Sequence, residues 1–169
     1  QCIDVAVTPD NTRAIVSGMD NSEIVVIDLT LPIPQEISRI TIGGHPQQIA
    51  ITPDGSKAIV GNSGSNYATV LDISGSTPTI ITKIYVASEK YPYGVAITND
   101  GKYGLITETE YYSGNGKLYI VNLESGLYTT DYTIDINSFC SSIAISPTGN
   151  DAIVTSFGWN GQVAVIDLT

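Results

Sequence analysis

Positive charge is what this chain has least of. Lys and Arg number 7 against 17 Asp and Glu, a net charge of −10 over 169 residues. That sign repels phosphate backbones and anionic headgroups, so nucleic acid and acidic membranes are not expected as partners. Histidine is nearly absent as well. The only one, His45, precedes Pro46, and no Ser-His-Asp or Cys-His arrangement can be argued from it alone. No Gly-rich phosphate loop opens a helix, since Gly61-Asn-Ser-Gly-Ser-Asn joins two apolar runs. There is no EF-hand spacing or other dedicated metal motif, so no cofactor is expected. No apolar run nears the ~20 residues that a membrane helix needs. Neither a signal peptide nor a helical hydrophobic period is legible.

What is present is enough for a core: 42% of residues are hydrophobic and 14% are charged. That balance excludes a disordered chain. The many Thr, Ser, Asn, Ile and Tyr fit an extracellular or cell-surface protein. The two cysteines, Cys2 and Cys140, occupy equivalent places in the first and last of four repeats, where the middle two carry Pro46 and Pro92. They are read either as a disulfide or as two small buried thiols.

The repeat is the main signal. Val5-Ala-Val-Thr-Pro-Asp recurs as Ile49-Ala-Ile-Thr-Pro-Asp, Val95-Ala-Ile-Thr-Asn-Asp and Ile143-Ala-Ile-Ser-Pro-Thr, at spacings of 44, 46 and 48 residues. Such a period, made only of strands, predicts an all-β propeller of four-stranded antiparallel blades. The units run over about 2–45, 46–91, 92–139 and 140–169, as one domain of about 3.75 blades, the last lacking its fourth strand. The alternating strand centres on Ala6, Ala50, Ala96 and Ala144, a position expected to be crowded by the next sheet. A Pro-Asp-Gly type turn follows. Third strands end on Asp28, Asp72, Asn122 and Asp167, which are expected to bond nearby backbone N–H groups.

These segments resemble the YVTN-type β-propeller repeat of surface-layer proteins. The likeness is carried by Pro46-Gln-Gln-Ile-Ala-Ile-Thr-Pro-Asp-Gly-Ser-Lys-Ala-Ile-Val-Gly-Asn and Val70-Leu-Asp-Ile, with Val26-Ile-Asp-Leu and Val165-Ile-Asp-Leu in the outer units. The resemblance implies the fold, commonly seven blades in a full ring, and no catalytic residue. Related propellers include lactone hydrolases, a lyase and quinoprotein-like subunits, whose catalytic motifs this chain does not match.

An open arc exposes two apolar blade faces, at a cost of ~25 cal/mol per Å². It is expected to close alone, to pair with a second copy as a homodimer, or to be completed by missing blades.

Function is expected on the face carrying the loops between second and third strands and between blades. Tyr67, Tyr111, Tyr112, Phe157 and Trp159 fall in the former; Tyr91, Tyr93 and Phe139 lie near the latter. Tyr93, Tyr111, Tyr112, Phe157 and Trp159 are the expected contacts for a protein or carbohydrate ligand. Packing against the ring's mouth is the alternative role. The third unit's longer loop brings Glu108 and Glu110 to one side, a weak cation or acid–base site set against two solvated glutamates. The leading expectation is therefore a non-enzymatic recognition, adhesion or assembly module. The alternatives are an enzyme or enzyme subunit with a site at the central channel, near Asp4 as well, and a purely structural unit.

Overall fold

The computed structural model describes all residues except 87–89, 111–114, 125, 137 and 158–160; of Phe157 only the backbone is described. Among the described residues, fifteen strands form four antiparallel sheets in chain order. Blade 1 holds β1 (Cys2–Val7), β2 (Arg13–Gly18), β3 (Glu23–Asp28) and β4 (Gln35–Thr41). Blade 2 holds β5 (Pro46–Ile51), β6 (Lys57–Asn62), β7 (Tyr67–Asp72) and β8 (Thr79–Tyr85). Blade 3 holds β9 (Tyr91–Ile97), β10 (Tyr103–Thr109), β11 (Gly116–Asn122) and β12 (Thr130–Asp135). Blade 4 holds three: β13 (Phe139–Ile145), β14 (Asp151–Phe157) and β15 (Val163–Asp167).

The turn after each inner strand is fixed by side chains as well as by backbone. Thr8, Thr52 and Thr98 donate their hydroxyls to Asp10, Asp54 and Asp100 at 2.6, 2.5 and 2.6 Å. The same aspartates accept the backbone N–H of Thr12, Ser56 and Lys102, each at 3.0 Å. The threonine hydroxyls in turn accept the N–H of Arg13, Lys57 and Tyr103. Residues Asn11, Gly55, Gly101 and Gly149 take φ of 59°, 70°, 75° and 81°, the left-handed conformation expected of the turn. Bonds to the charged carboxylate, the threonine hydroxyl's first, hold Asp10 and Asp54 down to about 2 and lower Asp100. At the ends of the third strands, Asp28, Asp72, Asn122 and Asp167 accept the N–H of Thr30, Ser74, Glu124 and Thr169 at 2.8 to 2.9 Å, as expected.

The core lies between blades. One cluster joins Ile15, Ile24 and Val26 to Ile49, Val60 and Leu71; a second joins Ile59 and Val70 to Val95, Ile106 and Tyr119; a third joins Leu105 and Leu118 to Ile143 and Val154. Innermost strands pack in sequence, β1 on β5, β5 on β9 and β9 on β13. Turns interlock too, with Gly55 against Pro9, Gly101 against Pro53 and Gly149 against Asn99.

The arc ends with its faces bare. At one repeat position Ile15, Ile59 and Leu105 are 0% exposed, while Ile153 in blade 4 is 45% exposed and its cross-strand neighbour Val165 67%. On the opposite face Ile49, Val95 and Ile143 are 6%, 2% and 4% exposed, while Val5 of blade 1 is 59% exposed. Ala50 packs on the second cluster and Ala6 on the first, but Ala144 is exposed because no blade follows it among the described residues.

Candidate functional site at the ring axis

Inner strands start one to three residues earlier than their alternation suggests, because each pair carries an irregularity in register. The shift falls between Cys2 and Val5, Pro46 and Ile49, and Cys140 and Ser142, and opposite Ile106/Glu108 in blade 3. A bulge interrupts alternation, which hides it from a period-two reading. Second-strand hydroxyls fill it. Ser17 Oγ accepts the N–H of Asp4 at 3.0 Å, and Thr107 Oγ1 that of Gly94 at 2.8 Å. Thr155 donates to the Ser142 carbonyl at 3.5 Å. Blade 2 has Gly61 there, where a Cβ would run into the Tyr93 carbonyl. The recurrent small or hydroxyl residue at 17, 61, 107 and 155 was the legible trace of this bulge.

The bulge brings together two repeat positions, Asp4, Gln48, Gly94 and Ser142 at one and Ile3, Gln47, Tyr93 and Ser141 at the other, all of which except Gly94 line one cleft. Asp4 Oδ2 accepts the N–H of Ile49 in the next blade at 2.8 Å, and Gln48 Oε1 accepts that of Val95 at 3.0 Å. Gln48 Nε2 then reaches across Gly94 to donate to Ser142 at 3.1 Å. Gly94 has no room for a side chain: a Cβ would stand 2.8 Å from Thr107 Oγ1 and 2.9 Å from Ser142 Cα. Gln47 is buried and donates to Ser63 at 2.8 Å. These groups line an open cleft of about 340 Å³ with Tyr93 on its wall. It offers an aromatic face, two amides, two hydroxyls and one carboxylate, a set suited to hydroxyl- or amide-rich ligands.

Of the expected contacts, Tyr93 lies in this cleft. It sits inside β9, two residues from the strand's start. Tyr111, Tyr112 and Trp159 lie outside the described residues, as does the side chain of Phe157. Tyr67 opens β7 and packs: its ring meets Tyr85 edge-on at 5.7 Å and carries Lys83 Nζ 3.9 Å from its centroid. Cys2 is exposed and Cys140 buried, both as free thiols. Burial, then the Glu108 charge, raises the Cys140 thiol to about 12. His45 takes φ of 51° and is exposed.

Glu108 departs from the reading of solvated glutamates. It belongs to β10 and is fully buried. Tyr119 donates its hydroxyl to Oε2 at 2.9 Å, and Lys90 Nζ lies 3.9 Å from Oε1, which has no hydrogen-bond partner among the described residues. Lys90 also pairs with Glu110. Desolvation raises the Glu108 carboxyl above its usual range, with Tyr119 and Lys90 opposing. Among the described residues no group of three or more His, Cys, Asp or Glu converges as metal ligands.

A larger cavity, about 480 Å³, lies between blades 3 and 4 and is lined by Leu105, Ile120, Tyr132, Ile134, Leu168 and neighbouring polar groups. On the blade 4 side it is closed by Asp167, Leu168 and Thr169 at the end of β15.

An open arc of four-stranded blades packed face to face about an axis is a β-propeller. Comparison with solved structures agrees. The chain is similar to Kuenenia stuttgartiensis hydrazine synthase, at 24% identity and TM-score 0.78, covering 99% of this chain and 54% of that one. It is similar to a Lactobacillus plantarum protein, at 18% identity and TM-score 0.83, with 99% and 52% covered. It is also similar to a candidate 6-phosphogluconolactonase from Bacteroides uniformis, at 16% identity and TM-score 0.82, with 99% and 53% covered. The chain thus spans about half the length of these propellers. No family model matches it, and no curated protein does.

Proposed function

We propose that this chain is a recognition module of the YVTN-type propeller class at the cell surface, which holds a carbohydrate or an extended peptide at the axial cleft. The observation that carries the reading is the bulge of the inner strands, which aims Tyr93, Gln48, Asp4, Ser141 and Ser142 into one open cleft. Tyr93 supplies a stacking face and the amides and hydroxyls supply directed bonds. Screening the purified chain on a glycan array and a peptide library tests it. A hit should lose about tenfold or more in affinity in Tyr93→Ala with the circular dichroism unchanged. Undiminished binding by Tyr93→Ala removes the cleft as the site.

A second reading, an enzyme's propeller, is favoured by buried Glu108 and by neighbours that include a hydrazine synthase chain, candidate 6-phosphogluconolactonases and a dihydro-heme d1 dehydrogenase. Here Glu108 would be the acid–base group, its raised carboxyl suited to that role. The check is lactone hydrolysis followed by pH titration. Activity that survives Glu108→Gln ends this assignment.

A further inference from the structure

We infer that the axial cleft, taken as the recognition site proposed above, receives a guanidinium group, carried by an arginine of a peptide or by a small guanidine. What decides this is which hydrogen-bonding groups of the cleft the chain already uses and which it leaves to a ligand.

Most donors are already used. Gln47 Nε2 donates to Ser63 Oγ at 2.8 Å and to Met19 Sδ at 3.4 Å, which occupies both of its N–H groups. Gln47 is buried, so these two contacts hold its amide in one orientation. The Ser141 hydroxyl donates to the Thr155 carbonyl at 3.1 Å. The Ser142 hydroxyl faces the Gln48 amide, 3.1 Å from Nε2 and 3.4 Å from Oε1. One N–H of Gln48 is the donor left over.

Acceptors remain. Gln47 Oε1 receives no hydrogen bond from the described residues. Asp4 Oδ2 accepts the N–H of Ile49 at 2.8 Å, and Oδ1 accepts none from the described residues. No cation offsets this carboxylate. Among the described residues, the ion pairs join the N-terminus to Asp20, Arg39 to Glu23 and Glu36, Lys90 to Glu108 and Glu110, Lys102 to Glu124, and Lys117 to Asp135. None involves Asp4, and no Lys or Arg lines the cleft. The net charge of −10 has the same sign.

Tyr93 completes the set. A guanidinium lies flat on an aromatic face and directs its N–H groups outward in its own plane. Asp4 from blade 1 and Gln47 from blade 2 then meet two branches of that fork. A lysine ammonium is a compact point charge without the flat face. A sugar hydroxyl needs donors as well as acceptors, and the cleft retains few donors.

The test is fluorescence anisotropy of a labelled, end-blocked Gly-Gly-Arg-Gly-Gly peptide with the 169-residue chain. Peptides with lysine or citrulline in place of the arginine are the controls. The arginine peptide should bind at least about tenfold more tightly than either. Asp4→Asn keeps an oxygen for the Ile49 N–H, so circular dichroism should not change, yet the affinity should fall about tenfold. Arginine amide as a competitor separates the two sources. Displacement at concentrations near the peptide's own means that the guanidine alone is recognised; displacement only at far higher ones means that the peptide backbone is held too. An arginine peptide that does not bind, a control peptide that binds equally well, or an Asp4→Asn chain of unchanged affinity overturns the inference. A neutral glycan or peptide lost in Tyr93→Ala but kept in Asp4→Asn also overturns it, while leaving the cleft as the recognition site. If no ligand loses affinity in Tyr93→Ala, both fall together.

Discussion

Two carboxylates of opposite behaviour dominate at the scale of single residues. Asp54 is one of three turn aspartates held low by a threonine hydroxyl and a backbone N–H. A carboxyl depressed in the fold adds stability above its unfolded value near 4, and that contribution disappears as pH falls toward about 2. Thermal melts of Asp54→Asn should therefore fall below wild type at pH 6 and converge with it near pH 2; a constant offset would mean the turn depends on shape alone. Glu108 runs the other way. Its carboxyl is raised, so its contribution is fully present below the unfolded value near 4.5 and is lost as pH climbs through the folded one. Glu108→Gln should match wild type at pH 4 and melt a few degrees higher at pH 8, with the protein concentration held fixed. A lower melt at pH 8 would show that Lys90 outweighs the desolvation. The turn aspartates were legible because they repeat. Glu108 stood out in the third unit's longer loop, but its burial was not legible: its equivalents are Gly18, Asn62 and Ser156, and a charge seen once in a repeat looks like surface.

At the scale of strands, the alternation around each central alanine was enough to place every inner strand and its turn. It missed where those strands begin. A bulge breaks the period two residues before the alanine, so Tyr93 reads as lying near a blade junction when it is inside β9, and only contact between blades reveals the direction of Tyr93 and Gln48. Gly61 shows how tight that contact is. Its Cβ would meet the Tyr93 main chain, which cannot swing aside as a side chain can. Gly61→Ala should cost roughly 1–3 kcal/mol in urea unfolding by forcing blades 2 and 3 apart. Gly126, which has open space around it but φ of 68°, should lose less on the same change. Equal losses would place the penalty in the backbone and not in packing.

For the whole molecule, the number of blades and the bare ends could be counted from the repeats, and the exposures of Val5 and Ile153 give that count its physical meaning. The bonds across the axis were beyond any reading of periodicity, because Asp4, Gln48, Gly94 and Ser142 share a position without sharing a chemistry. That row is directional: Asp4 and Gln48 each accept an N–H of the following blade. Direction of this kind belongs to filaments as much as to rings. What separates the two is the angle between neighbouring blades. Gly94 and the turn contacts of Pro9, Pro53 and Asn99 lie where neighbouring blades meet, and so bear on that angle. A substitution that opens the angle by a few degrees per blade would turn a finite particle into a growing spiral.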